Sequence, residues 1–288
     1  LEEWKVPCKK EVSSVVVPLP APPRPVVIAV AHTKGGAGKT SLAFNLAYPL
    51  GQRGLRVVVV DLDQQMGQTV FIGDHSPVAD AGLVVLGEAS VHEAVIREVH
   101  TNVAVLPAGE QSMSEATELL ATEFGQQRLR ALLDELRRQF DVILLDTPGH
   151  QSGVVTSALA ASDGVLVPMV PEAGPVTELP TILNTVAAIA SGAPTPVVFG
   201  IIRMRIWGNS VYRRIAEDQI RQIADRFGVP LFRHKVPEDA KFGEAHLLGL
   251  PVGAYLPGSR SAIAYRFIAD ELIERRGLLP RATQDLEV

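Results

Sequence analysis

The segment Thr33-Lys34-Gly35-Gly36-Ala37-Gly38-Lys39-Thr40 constrains this chain more than any other. It joins an apolar run of strand length, Val26–Ala31, to a helical pattern over 40–52. Glycines there let backbone N–H groups turn inward, and the start of the following helix adds about half a positive charge at the same place. The two effects together make a cradle for phosphate. Lys39 is placed to reach the β- and γ-phosphates of a nucleotide, and Thr40 to ligate Mg2+ through its hydroxyl, with the backbone of Gly35, Gly36, Ala37 and Gly38 around them. The strict form of this motif has its first glycine where this chain has Thr33, so the loop is a variant with an additional lysine, Lys34.

The rest of the chain repeats the same alternation. Val57–Asp61, Val103–Leu106, Val142–Asp146, Gly164–Met169 and Val197–Ile202 read as further strands, with helices over 40–52, 90–99, 126–139, 174–191, 209–227 and 259–276. Strands that are apolar along their whole length are buried on both faces, which implies a doubly wound, mostly parallel α/β sheet with helices on both sides. One domain is expected over 26–276. It follows an extended arm, 1–25, that holds Pro7, Pro18, Pro20, Pro22, Pro23 and Pro25, and precedes a short tail, 277–288. Pro49 conflicts with the first helix, because its ring opposes the carbonyl of Asn45, and a kink or an early end is expected there.

Composition excludes several classes. The lone Cys8 cannot form an internal disulfide, and the seven histidines show no metal-ligand spacing, so a reducing cytoplasm without a structural metal is expected. The apolar stretch 15–30 is broken by five prolines and Arg24, far short of a membrane span, and the first dozen residues lack the pattern of a secretory signal. Charge is unevenly distributed. Residues 1–195 carry 13 Lys+Arg against 21 Asp+Glu, a net −8, whereas residues 196–266 carry 11 against 6, a net +5. Such asymmetry points to a surface for a polyanion, although on helix 209–227 the pairs Arg213–Glu217, Arg214–Asp218, Glu217–Arg221 and Arg221–Asp225 can compensate one another. Arg203, Arg205, Lys241 and Arg260 lack such i,i+4 neighbours and are the better candidates for phosphate contacts. Trp4 and Trp207 read as packing residues.

Lys34-Gly35-Gly36-Ala37-Gly38-Lys39-Thr40 resembles the deviant phosphate loop of the ParA, Soj and MinD ATPases. Asp61-Leu62-Asp63-Gln64-Gln65 is similar to that family's second motif, with Gln64 in place of a proline. Val142–Pro148 resembles its Walker B strand, and Val236–Ala245, Gly249–Val252 and Ser259–Ala262 resemble the C-terminal part of Soj-type proteins. The resemblance, over about 26–276, implies ATP and Mg2+ as cofactors and adds Pro237 to the nucleotide-binding residues. Asp146 and Asp61, each closing a strand, become metal candidates. Asp63, pointing the same way as Asp61 if the strand continues, becomes the residue that orients the attacking water. A carboxylate of ordinary pKa, ~3.9, is a poor base, so slow turnover is expected. Lys34 is implied to reach across an ATP-bridged homodimer, which makes Lys34, Lys39 and Asp63 the catalytic set.

The function implied is a chromosome- or plasmid-partition ATPase, cytoplasmic and nucleoid-associated, that dimerises on ATP and binds duplex DNA without sequence preference. Arg205, Lys241 and Arg260 would contact the DNA, and a ParB-like partner would reset the cycle. Residues 1–25 are too few for the helix-turn-helix domain of larger plasmid ParA proteins. The competing reading is a MinD-like membrane- or cargo-positioning ATPase, but the end Thr283-Gln284-Asp285-Leu286-Glu287-Val288 is not a basic amphipathic helix. A relative of the nitrogenase iron protein would need ligand cysteines within the domain.

Overall fold

A computed structural model describes residues 24–65, 78–191, 195–208 and 210–278. The arm as far as residue 23, with Trp4 and Cys8, and the tail from 279 lie outside the described residues.

Seven strands, β1 (Val26–Val30), β2 (Val57–Asp61), β3 (Ile96–His100), β4 (Val103–Leu106), β5 (Val142–Asp146), β6 (Gly164–Met169) and β7 (Val197–Arg203), form one sheet. Their order is β3-β4-β2-β5-β1-β6-β7, with every pairing parallel except β3 against β4. Alternate residues of β1 show why its run is apolar throughout. Val26, Ile28 and Val30 face a core with Leu42, Leu46 and Leu50 of α1 (Lys39–Gln52) and Tyr265, Ile268 and Leu272 of α11 (Arg260–Arg276). Val27 and Ala29 enter two cores on the opposite face. There they meet α5 (Glu123–Gln139), α6 (Gly153–Ala161), α7 (Ala173–Ile189) and α8 (Val211–Phe227).

This layout puts the site where it is. Helix α1 leaves β1 across one face of the sheet, and α6 leaves β5 across the other. A crevice opens where neighbouring strands send their helices to opposite sides, and ligands of such sheets bind at the carboxyl ends of the strands there. The carboxyl ends of β1, β2 and β5 hold the phosphate loop, Asp61 and Asp146.

Several helix ends carry the signals their sequences promise. Thr122, Ser152, Ser210 and Ser259 cap α5, α6, α8 and α11 through their side chains, and Gly228 and Gly277 end α8 and α11 in the left-handed conformation. Two expectations need correction. The helix expected over 90–99 is a single turn, α3 (Val91–Ala94), followed by the antiparallel edge strand β3. A capping box of Ser90 and Glu93 starts that turn. Helix α1 also runs through Pro49 to Gln52 rather than ending early. The carbonyl of Pro49 is satisfied by Nη1 of Arg53 at 2.8 Å, and the Asn45 side chain bridges the carbonyl of Ser41 to the N–H of Val252. Packing of its buried face outweighs the proline penalty. Helices α2 (Ala81–Leu86), α4 (Glu110–Leu120), α9 (Lys241–Leu247) and α10 (Val252–Tyr255) complete the described elements. No described helix is long and apolar enough to cross a membrane.

Candidate functional site: a phosphate loop beside an apolar cavity

Gly36 and Gly38 have φ of 75° and 90°, a conformation that a side chain resists, and these two turns bring the loop round to the start of α1. Gly38 caps α1 without a side-chain hydrogen bond, which leaves the first-turn N–H groups for a ligand. Thr40 follows as the second residue of the helix, half-buried. A phosphate group therefore fits this cradle.

Lys39 is only 6% exposed, and its Nζ donates to the carbonyl of Lys34 at 3.3 Å. Burial lowers its pKa, and the charges of Asp146 and Asp63 oppose that shift. An ammonium held among carboxylates and an open loop is a ready partner for a polyphosphate. Lys34, by contrast, is exposed.

Asp61 and Asp146 are register partners at the ends of β2 and β5, and both are fully buried. Adjacent carboxylates without access to water favour a bound cation between or beside them, so Thr40, Asp61 and Asp146 fit the implied Mg2+. Asp63 reaches the site differently from the expectation. Strand β2 stops at Asp61, and the Asp63 N–H donates to Oδ1 of Asp61 at 2.9 Å, while its own Oδ1 accepts from the Gln65 N–H at 3.0 Å. A turn, not the pleat of a strand, aims this half-buried carboxylate.

Two residues of the site escape motif reading. His32 is fully buried directly before the loop, and its Nδ1 accepts the Lys34 N–H at 3.0 Å. Gly149 follows the Asp146-Thr147-Pro148 segment. A Cβ there would lie 3.0 Å from Cα of Gly35 and 3.3 Å from Nζ of Lys39. A side chain there would press on the first loop, which would have to give by a few tenths of an ångström; the small residue after a Walker B strand is the signal that could have found it.

Beside Gly38 opens a cavity of about 390 Å³, lined largely by apolar groups that include Met204, Pro237, Phe242 and Tyr265. Its size and largely apolar lining are of the kind that takes a flat heterocycle, and Pro237 and Gly38 of the phosphate loop both line it.

The basic candidates divide. Arg203 is removed from consideration: it ends β7 at 5% exposure, and its Nη2 donates to the carbonyl of Phe232 at 2.6 Å. Glu217, expected to offset Arg213 and Arg221, lies instead beside Arg203 and Lys235. Arg205, Lys241 and Arg260 gather around the 236–241 loop, but carboxylates accompany them. Arg205 meets Glu238 at 3.4 Å, Lys241 meets Glu244 at 2.7 Å, and Arg260 acts on Asp239. Trp207 does not pack inside; it is 65% exposed, with the Arg213 guanidinium 5.0 Å from its ring centre.

Comparison with known proteins agrees with this geometry. A family model described as an AAA domain matches residues 26–195. The chromosome-partitioning ATPase Soj of Thermus thermophilus is 32% identical over 250 residues, covering 86% of this chain and 95% of that protein. Among solved structures, a McdA–ATP complex from Cyanothece superposes with a TM-score of 0.77 at 23% identity, over 90% of this chain and 99% of that one. At that identity the likeness speaks for the fold alone. The septum site-determining protein MinD of Pyrococcus horikoshii, complexed with Mg-ADP, superposes with a TM-score of 0.71 at 25% identity, over 86% of this chain and 95% of that one.

Proposed function

The chain belongs to the Soj/ParA-type family of P-loop partition ATPases, which hydrolyse ATP with Mg2+, and from that premise we propose that it uses ATP as a dimerisation switch for DNA partition. The observation that carries this reading is the division of labour between two lysines of one loop. Lys39 is buried among the carboxylates of its own subunit, and Lys34 stands exposed on the same loop.

Phosphoryl transfer needs positioning and neutralisation more than covalent help. The backbone of Gly35–Thr40 and the ammonium of Lys39 hold the phosphates, and the apolar cavity with Pro237 takes the base. Thr40, Asp61 and Asp146 would hold the metal ion, which would neutralise charge on the phosphates. Asp63, fixed by its turn, orients the attacking water. Lys34 adds a positive charge to the phosphates of the facing subunit, so that ATP bridges the dimer.

The dimer presents two copies of the Arg205, Lys241 and Arg260 corner to duplex DNA. Contacts to phosphate rather than base edges make that binding indifferent to sequence. A ParB-like partner then stimulates hydrolysis and resets the cycle on the nucleoid. Co-sedimentation with DNA, with and without a nonhydrolysable ATP analogue, tests the proposal. Sedimentation only with the analogue supports it; equal sedimentation in both conditions, or preferential flotation with anionic vesicles, overturns it.

A further inference from the structure

The phosphate loop is held from behind by a side chain that neither phosphate nor metal requires. His32 is fully buried between β1 and the loop, and its Nδ1 accepts the Lys34 N–H at 3.0 Å. A ring nitrogen that accepts carries no proton, so the hydrogen resides on Nε2. That edge faces the backbone of Pro175 at the start of α7, short of ordinary hydrogen-bond geometry. Burial first, and then the charge of Lys39, push the imidazole pKa down to about 4, which the Pro175 carbonyl opposes without reversing. The ring therefore stays neutral, and its acceptor persists, throughout the physiological range.

Lys34 is held through both its N–H and its carbonyl, which belong to successive peptide groups, and the two holds differ in kind. Its carbonyl accepts Nζ of Lys39 at 3.3 Å, from an ammonium that a polyphosphate would also attract. Neutral His32 offers phosphate nothing to attract. Its hold on the N–H does not compete with a nucleotide, and it leaves the phosphate cradle to the N–H groups from Gly35 onward. The i to i+2 acceptor geometry is that of an Asx turn, which Asp61 and Asp63 repeat on the facing loop. Thr33 joins the same stretch to α7, its Oγ1 donating to Glu178 at 3.4 Å.

We propose that His32 is a positioning residue for Lys34: by accepting the Lys34 N–H it keeps that side chain projecting from the loop whether or not nucleotide is bound. The inference rests on the reading of Lys34 as the cation presented to a second subunit. His32→Leu keeps bulk and removes the acceptor, whereas His32→Asn restores an i to i+2 acceptor. Both are compared with Lys34→Ala in the full chain, by ATP titration and by sedimentation velocity with a nonhydrolysable analogue. His32→Leu is expected to bind ATP within about threefold of wild type but to weaken the dimer by about tenfold or more, as Lys34→Ala does. His32→Asn is expected to dimerise as wild type does, and His32→Leu with Lys34→Ala to be no worse than Lys34→Ala alone.

Normal dimerisation of Lys34→Ala overturns the cross-subunit role itself. Loss in Lys34→Ala with a normal dimer in His32→Leu overturns the role of His32 alone. Should His32→Leu not fold, nitrogen NMR of the wild-type histidine ring decides. One Nε2-protonated ring, unchanged by ATP, is expected; an Nδ1-protonated ring, or a tautomer change on ATP addition, overturns the proposal.

Discussion

The phosphate corner and the basic corner of this molecule carry similar numbers of charges and hold them in opposite ways. Around the loop, Lys39, Asp61 and Asp146 are almost wholly buried, so each charge is felt by its neighbours at low dielectric. Around the 236–241 loop, Arg205 and Arg260 are exposed and Lys241 is half-buried, and each has a carboxylate near it. Buried charges that await a ligand define a chemistry, whereas exposed compensated charges define a tendency that solvent and salt can cancel.

Substitutions should respect this contrast, with effects falling steeply from the first corner to the second. Lys39→Ala removes the buried cation facing the phosphates and is expected to abolish ATP binding; wild-type affinity in a direct titration would refute the cradle. Asp63→Ala is expected to keep ATP and dimerise but to slow turnover roughly 100-fold, because water loses its orienting carboxylate. Single-turnover hydrolysis measures it, and an undiminished rate would move that role to another residue.

Gly149→Ala places a methyl against Gly35 and Lys39 and is expected to weaken ATP binding by about tenfold while leaving the melting temperature close to wild type. Calorimetry checks both quantities. The smallest effects belong to the basic corner. If each subunit of a dimer neutralises about three phosphates, log K for DNA should fall with log salt at a slope of roughly −5. Lys241→Ala and Arg260→Ala should each reduce binding only severalfold, alike on unrelated sequences. Glu244→Gln removes the carboxylate beside Lys241 and is expected to tighten DNA binding slightly. A large loss from either alanine variant, or no gain from Glu244→Gln, would show that the two corners are less different than their burial suggests.

The sequence was most readable where local chemistry decides the outcome. The glycines of the loop and the apolar strands each act over a few residues, and the structure places them as expected. It was least readable where tertiary contacts override a local signal. The 90–99 stretch has a helical start in Ser90 and Glu93, yet pairing with β4 turns its second half into a strand. Asp63 could be singled out from its motif, but its aim comes from the Asp61 turn, which strand alternation does not foresee. Arg203 looked available because its partners, Glu217 and the Phe232 carbonyl, lie far along the chain. His32 carries no motif at all; only its distance to the Lys34 N–H reveals it.

Strand β3 has a bearing on how copies of this molecule can associate. It runs opposite to its one sheet neighbour among the described residues, its register is interrupted, and Glu98 within it takes a φ of 55°. Arg97 and Glu98 are exposed on it. A kinked, charged border is a poor template for another chain to extend by backbone hydrogen bonds. Adding sheet to sheet through this border would mean straightening the kink and stripping water from both charges. Polymers grown by continuous strand pairing are therefore disfavoured on this side of the sheet.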